Sequence, residues 1–369
     1  TLKELTTAGT NGIIVSGEIK NLTKGQSVSI PLTSSVTNAA NTQDKLVGNS
    51  YTINIEPYNS GDTKAFLCKL HEPGPVLAQY LIDSGNLWQS GLEGDGYRYT
   101  GSGAVGTSTN PNNFICFGTN NKSECTANQD KYMYRVLGVF SDANGENHVK
   151  LIKYKQLGSY AWDANYQTDV AWENSDMYKG LNGSYFLTNT TYDYLQDTAW
   201  NNKIENWTWS AVNTKTYDGS NGPNYYNVLT PSQIYLHEMN RTGKTSTVGV
   251  WASPVAKIGL MYASDYTLSL GSGALAITGS TKDNSTTLKA GWMHPSNNDT
   301  TKNTYEWTIS RYGYDGNAFR AWLIDSGGYV DNNYETLSGA VRLVFYLTSD
   351  IKITTDGDGS LENPFIISE

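Results

Sequence analysis

The residues able to do chemistry in this chain are few and scattered. Its four histidines, His71, His148, His237 and His294, stand far apart. His237-Glu238 opens like the helix of a zinc protease, but position 241 is Arg, so the second ligand of an HExxH pattern is missing. Asp356, Asp358, Ser360 and Glu362 alternate at a spacing that calcium loops use, yet an Asp-Gly turn between two strands accounts for the same residues more simply. No Gly-x-Ser-x-Gly elbow occurs, and Ser349 and Lys352 match Ser-x-x-Lys in a strand context without companion motifs. Cys68 has neither a histidine nor a helix N-terminus beside it to lower its pKa. Gly91, Gly94 and Gly96 lack the spacing and the following helix of a phosphate-cradling loop. Glycoside hydrolysis needs two carboxylates roughly 5–9 Å apart. Glu173, Asp176, Glu205 and Glu306 lie near tryptophans, as acids do in any tryptophan-rich chain. Nothing in these patterns calls for a cofactor.

What is left is recognition chemistry. Tyr312-Gly313-Tyr314-Asp315-Gly316-Asn317 and Tyr329-Val330-Asp331-Asn332-Asn333-Tyr334, with Arg320 between them, are dense in the residues that binding loops favour. Tyrosine offers flat contact area at little entropic cost, and asparagine offers adaptable hydrogen bonds. The candidate contact set is Tyr312, Tyr314, Asp315, Asn317, Arg320, Tyr329, Asp331, Asn332, Asn333 and Tyr334. Polar hairpin loops with tyrosines packed on their flanks would give the same sequence.

Composition frames this reading. Of 369 residues, 38% are hydrophobic and only 17% charged, against about 25% in a typical chain, so the polarity comes from Asn, Ser, Thr, Tyr and Gly. The 26 Tyr and 10 Trp are too many for a disordered chain. A net charge of -9 argues against a nucleic-acid partner. No apolar stretch approaches the roughly 20 residues that span a bilayer. Cys116 and Cys125 bracket a short polar loop and are expected to form a disulfide, although two free thiols fit the spacing as well. Cys68 reads as a buried strand thiol. The surface composition is that of a secreted protein, and the absence of Met or a leader at the start reads as a mature or trimmed form. Sequons such as Asn21, Asn189 and Asn206 occur at about the frequency chance gives.

The elements that must position the contact residues fall in two parts. Residues 1–75 read as a β-rich N-terminal module or arm, with strands at Ile13–Val15, Ser27–Ile30, Tyr51–Ile55 and Ala65–Leu67. Pro73-Gly74-Pro75 punctuates the chain, and 76–369 read as the main domain. There, Val76–Ile82 predicts a short helix and Gly91–Gly106 a loop. Tyr134–Phe140, Asn144-Gly145 and His148–Tyr154 predict a hairpin, because Asn-Gly supplies the positive φ of a tight turn. Ser175–Phe186 has helical apolar spacing. Thr230-Pro231-Ser232-Gln233 predicts a capping box. Strands follow at Ile258–Tyr262, Glu306–Ser310, Ala318–Ile324 and Ala340–Leu347, with a tight turn at Gly327-Gly328. A final turn at Asp356–Gly359 leads to Phe365–Ile367. Nine of the ten tryptophans lie between Trp162 and Trp322, which predicts an aromatic core in the second half.

Asn113–Gly118 with Cys125, Tyr134–Phe140 with Val149–Lys153, Trp172–Ser175 with Leu181-Asn182, Ile258–Tyr266, Glu306–Arg311, Gly339–Leu347, and Asp356–Gly359 with Asn363–Phe365 follow one another in order. Taken together, these stretches resemble the C-type-lectin-like domains of surface-exposed and pilin-like proteins of Gram-positive bacteria. The resemblance implies an α+β, hairpin-rich domain with a few short helices, which binds without catalysis. Its variable ligand loops would correspond to Tyr312–Asn317 and Tyr329–Tyr334. Calcium-dependent sugar binding is not expected, because no Glu-Pro-Asn or Trp-Asn-Asp signature is present. The expectation is an extracellular bacterial cell-surface protein, non-enzymatic, that adheres to a glycan or protein receptor. A filament subunit polymerising through residues 1–72 by strand exchange is the alternative, and a carbohydrate-active hydrolase the second.

Overall fold

In a computed structural model, the described residues are 13–16, 33–36, 52–60, 63–71, 74–100, 111–165, 171–183, 192–212, 218–219, 222–223, 229–240, 251–252, 254–298, 305–312 and 320–368. The chain forms two compact units, Thr1–Gly74 and Pro75–Glu369.

The first unit contributes two antiparallel pairs. β1 (Ile13–Ser16) pairs with β2 (Thr33–Val36). β3 (Thr52–Ser60) pairs with β4 (Thr63–His71) over nine residues, from Thr52 opposite His71 to Ser60 opposite Thr63. Cys68 sits in β4 opposite Ile55, and its burial lies outside what is described, as does the expected strand Ser27–Ile30.

The second unit opens with a helix, Leu77–Asp83, whose Leu77, Ala78 and Leu81 are buried. Its start is tied to its end: Leu77 donates its amide to Ile351 O at 2.7 Å, and Ile353 donates to Pro75 O at 3.1 Å. The strands that follow are β5 (Leu87–Gln89), β6 (Tyr97–Tyr99), β7 (Phe114–Cys116), β8 (Met133–Ser141), β9 (Asn147–Lys153) and β10 (Gly158–Ala161). Five short ones come next: β11 (Trp207–Thr208), β12 (Ala211–Val212), β13 (Asp218–Gly219), β14 (Gly222–Pro223) and β15 (Trp251–Ala252). The chain then returns through β16 (Val255–Ala256), β17 (Ile258–Gly259), β18 (Glu306–Tyr312), β19 (Arg320–Ile324), β20 (Val330–Tyr334), β21 (Ser338–Val341), β22 (Val344–Tyr346) and β23 (Phe365–Ile366). One sheet runs β17-β22-β9-β8-β6-β5, with β7 and β23 attached beyond β8. The other runs β10-β21-β18-β19-β20. Short helices between these sheets make the unit an α+β structure.

The expected hairpin forms as β8 and β9, with Gly145 at φ 83° at its tip. From Met133 to Val139 every β8 residue is buried, as a strand covered on both faces requires. A bulge between Val136 and Gly138 lets β6 join, and a Cβ on Gly138 would collide with the Tyr97 carbonyl. The predicted Gly91–Gly106 loop is thus interrupted by β6, whose short run the glycines obscured. Ile258–Tyr262 is a strand only to Gly259, since Tyr262 caps a helix, Ala263–Leu268. Ala340–Leu347 is two strands in different sheets. The break comes at Arg342, whose buried Nε–H is shared between the two oxygens of Glu306 at 2.8 and 3.0 Å while Nη2 donates to Met293 O at 2.7 Å.

Two helices form as their caps dictate. Ser175 accepts from Tyr178 N above the helix Asp176–Asn182, which buries Met177 and Leu181. Thr230 and Gln233 cap one another reciprocally above Pro231–Tyr235. Cys116 and Cys125 are disulfide-bonded. The short polar loop expected between them is helical in its second half, because Asn121 accepts from Glu124 N and starts a helix, Lys122–Ala127. The core is wider than the tryptophan distribution predicts. Trp162, Trp172, Trp209, Trp292, Trp307 and Trp322 are buried in one cluster with Phe114, Leu151 and Phe345, spanning Leu77 to Ile367. Three of these indoles satisfy their N–H on carbonyls of Thr308, Ala256 and Tyr160.

Candidate functional site

Of the predicted contact residues, Tyr312, Arg320, Asp331, Asn332, Asn333 and Tyr334 lie on three neighbouring strands of the second sheet. β18 pairs with β19 so that Tyr312 stands opposite Arg320, and β19 pairs with β20 so that Arg320 stands opposite Tyr334. Tyr312, Arg320 and Tyr334 are therefore abreast on three neighbouring strands. Opposed residues of an antiparallel pair share a face, so Arg320, Asn332 and Tyr334 lie on one side of the ribbon and Asp331 and Asn333 on the other. This corrects the reading of Tyr329–Tyr334 as a loop. β-pairing with the apolar Ala321–Ile324 run extends it, and Val330 is fully buried.

Of the described contact residues only Tyr334 is exposed, and it is braced. Arg320 donates from Nη1 to Asn332 Oδ1 at 2.9 Å, and its guanidinium carbon lies 4.4 Å from the Tyr334 ring centroid. Asn332 is buried, so it positions Arg320. Tyr334 is 37% exposed and Leu337, one turn on, 43%. They are two of the three large apolar residues exposed among the described residues. On the turn before β20, Tyr266 OH donates to Gly328 O at 2.8 Å, and Gly328 has φ 98°. Burial pushes Asp331 above the usual carboxylate range, and burial with the Asp325 and Asp331 charges pushes Tyr329 up. Beneath the ribbon, Arg311 and Glu335 are both buried, 3.4 Å apart, and burial pushes Glu335 up to about 7 against the pull of Arg311. Tyr314, Asp315 and Asn317 lie outside the described residues, as does the side chain of Tyr312.

The other candidates separate. Asp358 Oδ1 accepts from Ser360 N at 2.8 Å, and Asn363 donates to Asp356 O at 2.9 Å, so Asp356–Glu362 builds a closed Asp-Gly turn. Of the carboxylates near tryptophans, Glu306 is wholly buried under Arg342 and Asp176 accepts from Ala164 N. An open depression lined by Thr126–Lys131 and Lys155 holds one carboxylate, Asp130, and no tryptophan. Glu238 accepts from the amides of Ala263 and Ser264 and the hydroxyl of Ser310, which anchors a helix. Among the described residues, a single set of His, Cys, Asp or Glu ligand atoms converges within 4.8 Å: Asp142, Glu146 and His148. Sequence reasoning missed it because it looked for histidine pairs; the signal was an acid on each side of an Asn-Gly turn.

Buried charge was equally hidden. Asp265 takes Lys150 at 2.5 Å and Arg98 at 3.3 Å, and Arg98 also binds Asp95 at 2.9 Å. Burial alone would raise Asp265, and the two cations overrule it and hold it below its ordinary value. No family model, curated protein or solved structure matches the chain. No helix among the described residues is long and apolar enough to cross a membrane.

Proposed function

We propose that the protein is an extracellular, non-catalytic binding module of a bacterial surface, and that the β18-β19-β20 end of the second sheet touches its glycan or protein receptor. The observation that carries this is the register setting Tyr312, Arg320 and Tyr334 abreast, with the exposed Tyr334 ring held by Arg320. An aromatic ring braced by a guanidinium loses little freedom on binding, which is what makes such residues contribute strongly at interfaces. The lectin-like reading is supported by the placement of its segments: Tyr134–Phe140, Val149–Lys153, Ile258-Gly259 and Val344–Tyr346 are neighbours in one sheet. The disulfide fits an oxidising compartment.

The test is binding of the purified chain to printed arrays of glycans and of extracellular matrix proteins, beside Tyr334→Ala and Arg320→Ala. Retention on one class, weakened roughly tenfold by Tyr334→Ala, is expected. A ligand bound equally by wild type and both variants would remove this surface from consideration.

The filament reading has one observation of its own. β3 and β4 pair over nine residues, and among the described residues each has only the other as partner. Open edges of that length are templates for a further strand. Negative-stain microscopy and size-exclusion across concentration decide it: a monomer at every concentration counts against polymerisation.

A further inference from the structure

We propose that the tip of the β8–β9 hairpin is a divalent transition-metal site of the zinc class, with Asp142, Glu146 and His148 as its protein ligands. The turn folds Asp142-Ala143-Asn144-Gly145-Glu146-Asn147-His148 back on itself. Asp142 Oδ1 accepts from Asn144 N at 2.9 Å and Glu146 N at 2.8 Å, and Asp142 N donates to Glu146 O at 2.9 Å. Backbone geometry thus brings the two acids to the side of the hairpin where His148 enters β9. Ser349 Oγ donates to Glu146 Oε2 at 3.0 Å and holds the exposed Glu146 over the tip.

His148 supplies the independent observation. It is 2% exposed, and its Nδ1 lies 2.8 Å from Leu347 O. A carbonyl only accepts, so the proton sits on Nδ1 and the lone pair of a neutral ring sits on Nε2. Nε2 is buried with no hydrogen-bond partner, and the nearest charged atom is Asp142 Oδ2 at 4.0 Å. Two acceptors facing one another across that gap leave a buried lone pair unsatisfied, at a cost the fold normally avoids. A cation between them removes it. Ligating imidazoles characteristically donate the other ring N–H to a carbonyl or carboxylate, as His148 does to Leu347.

The donor set selects the metal. One imidazole nitrogen and two carboxylates suit zinc, nickel or copper, whereas calcium and magnesium take oxygen alone. Four-coordinate ligands at about 2.0 Å lie roughly 3.3 Å apart, inside the 4.8 Å spread seen here, so small rotations of Glu146 and Asp142 close the site. Water completes the coordination. The metal would lock the hairpin tip to the strand end that carries Leu347 and Ser349.

The test uses the full chain, chelator-stripped and free of any polyhistidine tag, titrated with zinc chloride by calorimetry and with cobalt chloride by absorption. One ion per chain is expected, with the His148 Nε2 ¹⁵N resonance shifting on zinc addition. Glu146→Gln and Asp142→Asn should each weaken zinc roughly tenfold or more; the Asn keeps an acceptor for the turn, and both residues are accessible enough for the variants to fold. No stoichiometric zinc, an unmoved His148 resonance, or unchanged affinity in both variants would overturn the site. Protonation of His148 against Asp142 with no metal uptake would do the same.

Discussion

Glu238 is a fully buried carboxyl that accepts from the amides of Ala263 and Ser264 and the hydroxyl of Ser310, with the Asp265 charge also acting to raise it. Burial pushes it up to about 7 in spite of the amides of Ala263 and Ser264. Between its ordinary value of 4.5 and about 7, the folded chain keeps a proton that the unfolded chain has released, so this group's stabilisation is lost as pH rises through that window. Relative to Glu238→Gln, wild type should lose about 3 kcal/mol between pH 4 and pH 8, read as the slope of the difference between two urea-stability curves. A difference that rises with pH would show that the amides dominate. Arg342 poses the opposite case, a cation whose removal strands a partner. Arg342→Met leaves Glu306 buried and unpaired and should cost about 3–5 kcal/mol; Glu306→Leu with Arg342→Met should recover much of that, since both charges leave together.

At the scale of elements, the disulfide ties the end of β7 to a one-and-a-half-turn helix too short to hold alone. Replacing both cysteines with serine should cost about 2–3 kcal/mol and raise amide exchange first at Ile115–Phe117 and Lys122–Ala127. Uniform loss of protection across β8 and β9 would instead make β7 part of the central folding unit. Elements written in local chemistry were legible beforehand: the Asn144-Gly145 hairpin, the Thr230–Gln233 capping box, the helix after Pro75. Elements decided by distant partners were not. Tyr329–Tyr334 reads as a loop because Asp and Asn dominate it, and only the apolar strand beside it makes it extended. Ala340–Leu347 reads as one strand because nothing local marks Arg342 as the point where Glu306, 36 residues away, turns the chain into another sheet. The residues of the proposed contact face stand out by composition, while their division between two sides of the strands needed the register.

Across the whole molecule, the described apolar core lies between Leu77 and Ile367, and the start and end of that span are hydrogen-bonded through Pro75, Leu77, Ile351 and Ile353. Those bonds tie the two ends of the second unit to each other. All ten tryptophans also fall within it, the first at Trp88, so indole fluorescence reports this unit alone in the intact chain. Residues 75–369 expressed by themselves should unfold in urea with the same tryptophan-monitored midpoint and slope as the full chain, because slope follows the surface that the reporting unit exposes. Far-ultraviolet dichroism of the full chain should then show strand signal that the tryptophan trace does not follow. A lower midpoint for 75–369, or its aggregation, would mean that residues 1–74 cover part of the apolar surface, and the N-terminal strands would then belong to the binding unit instead of standing ready for another chain.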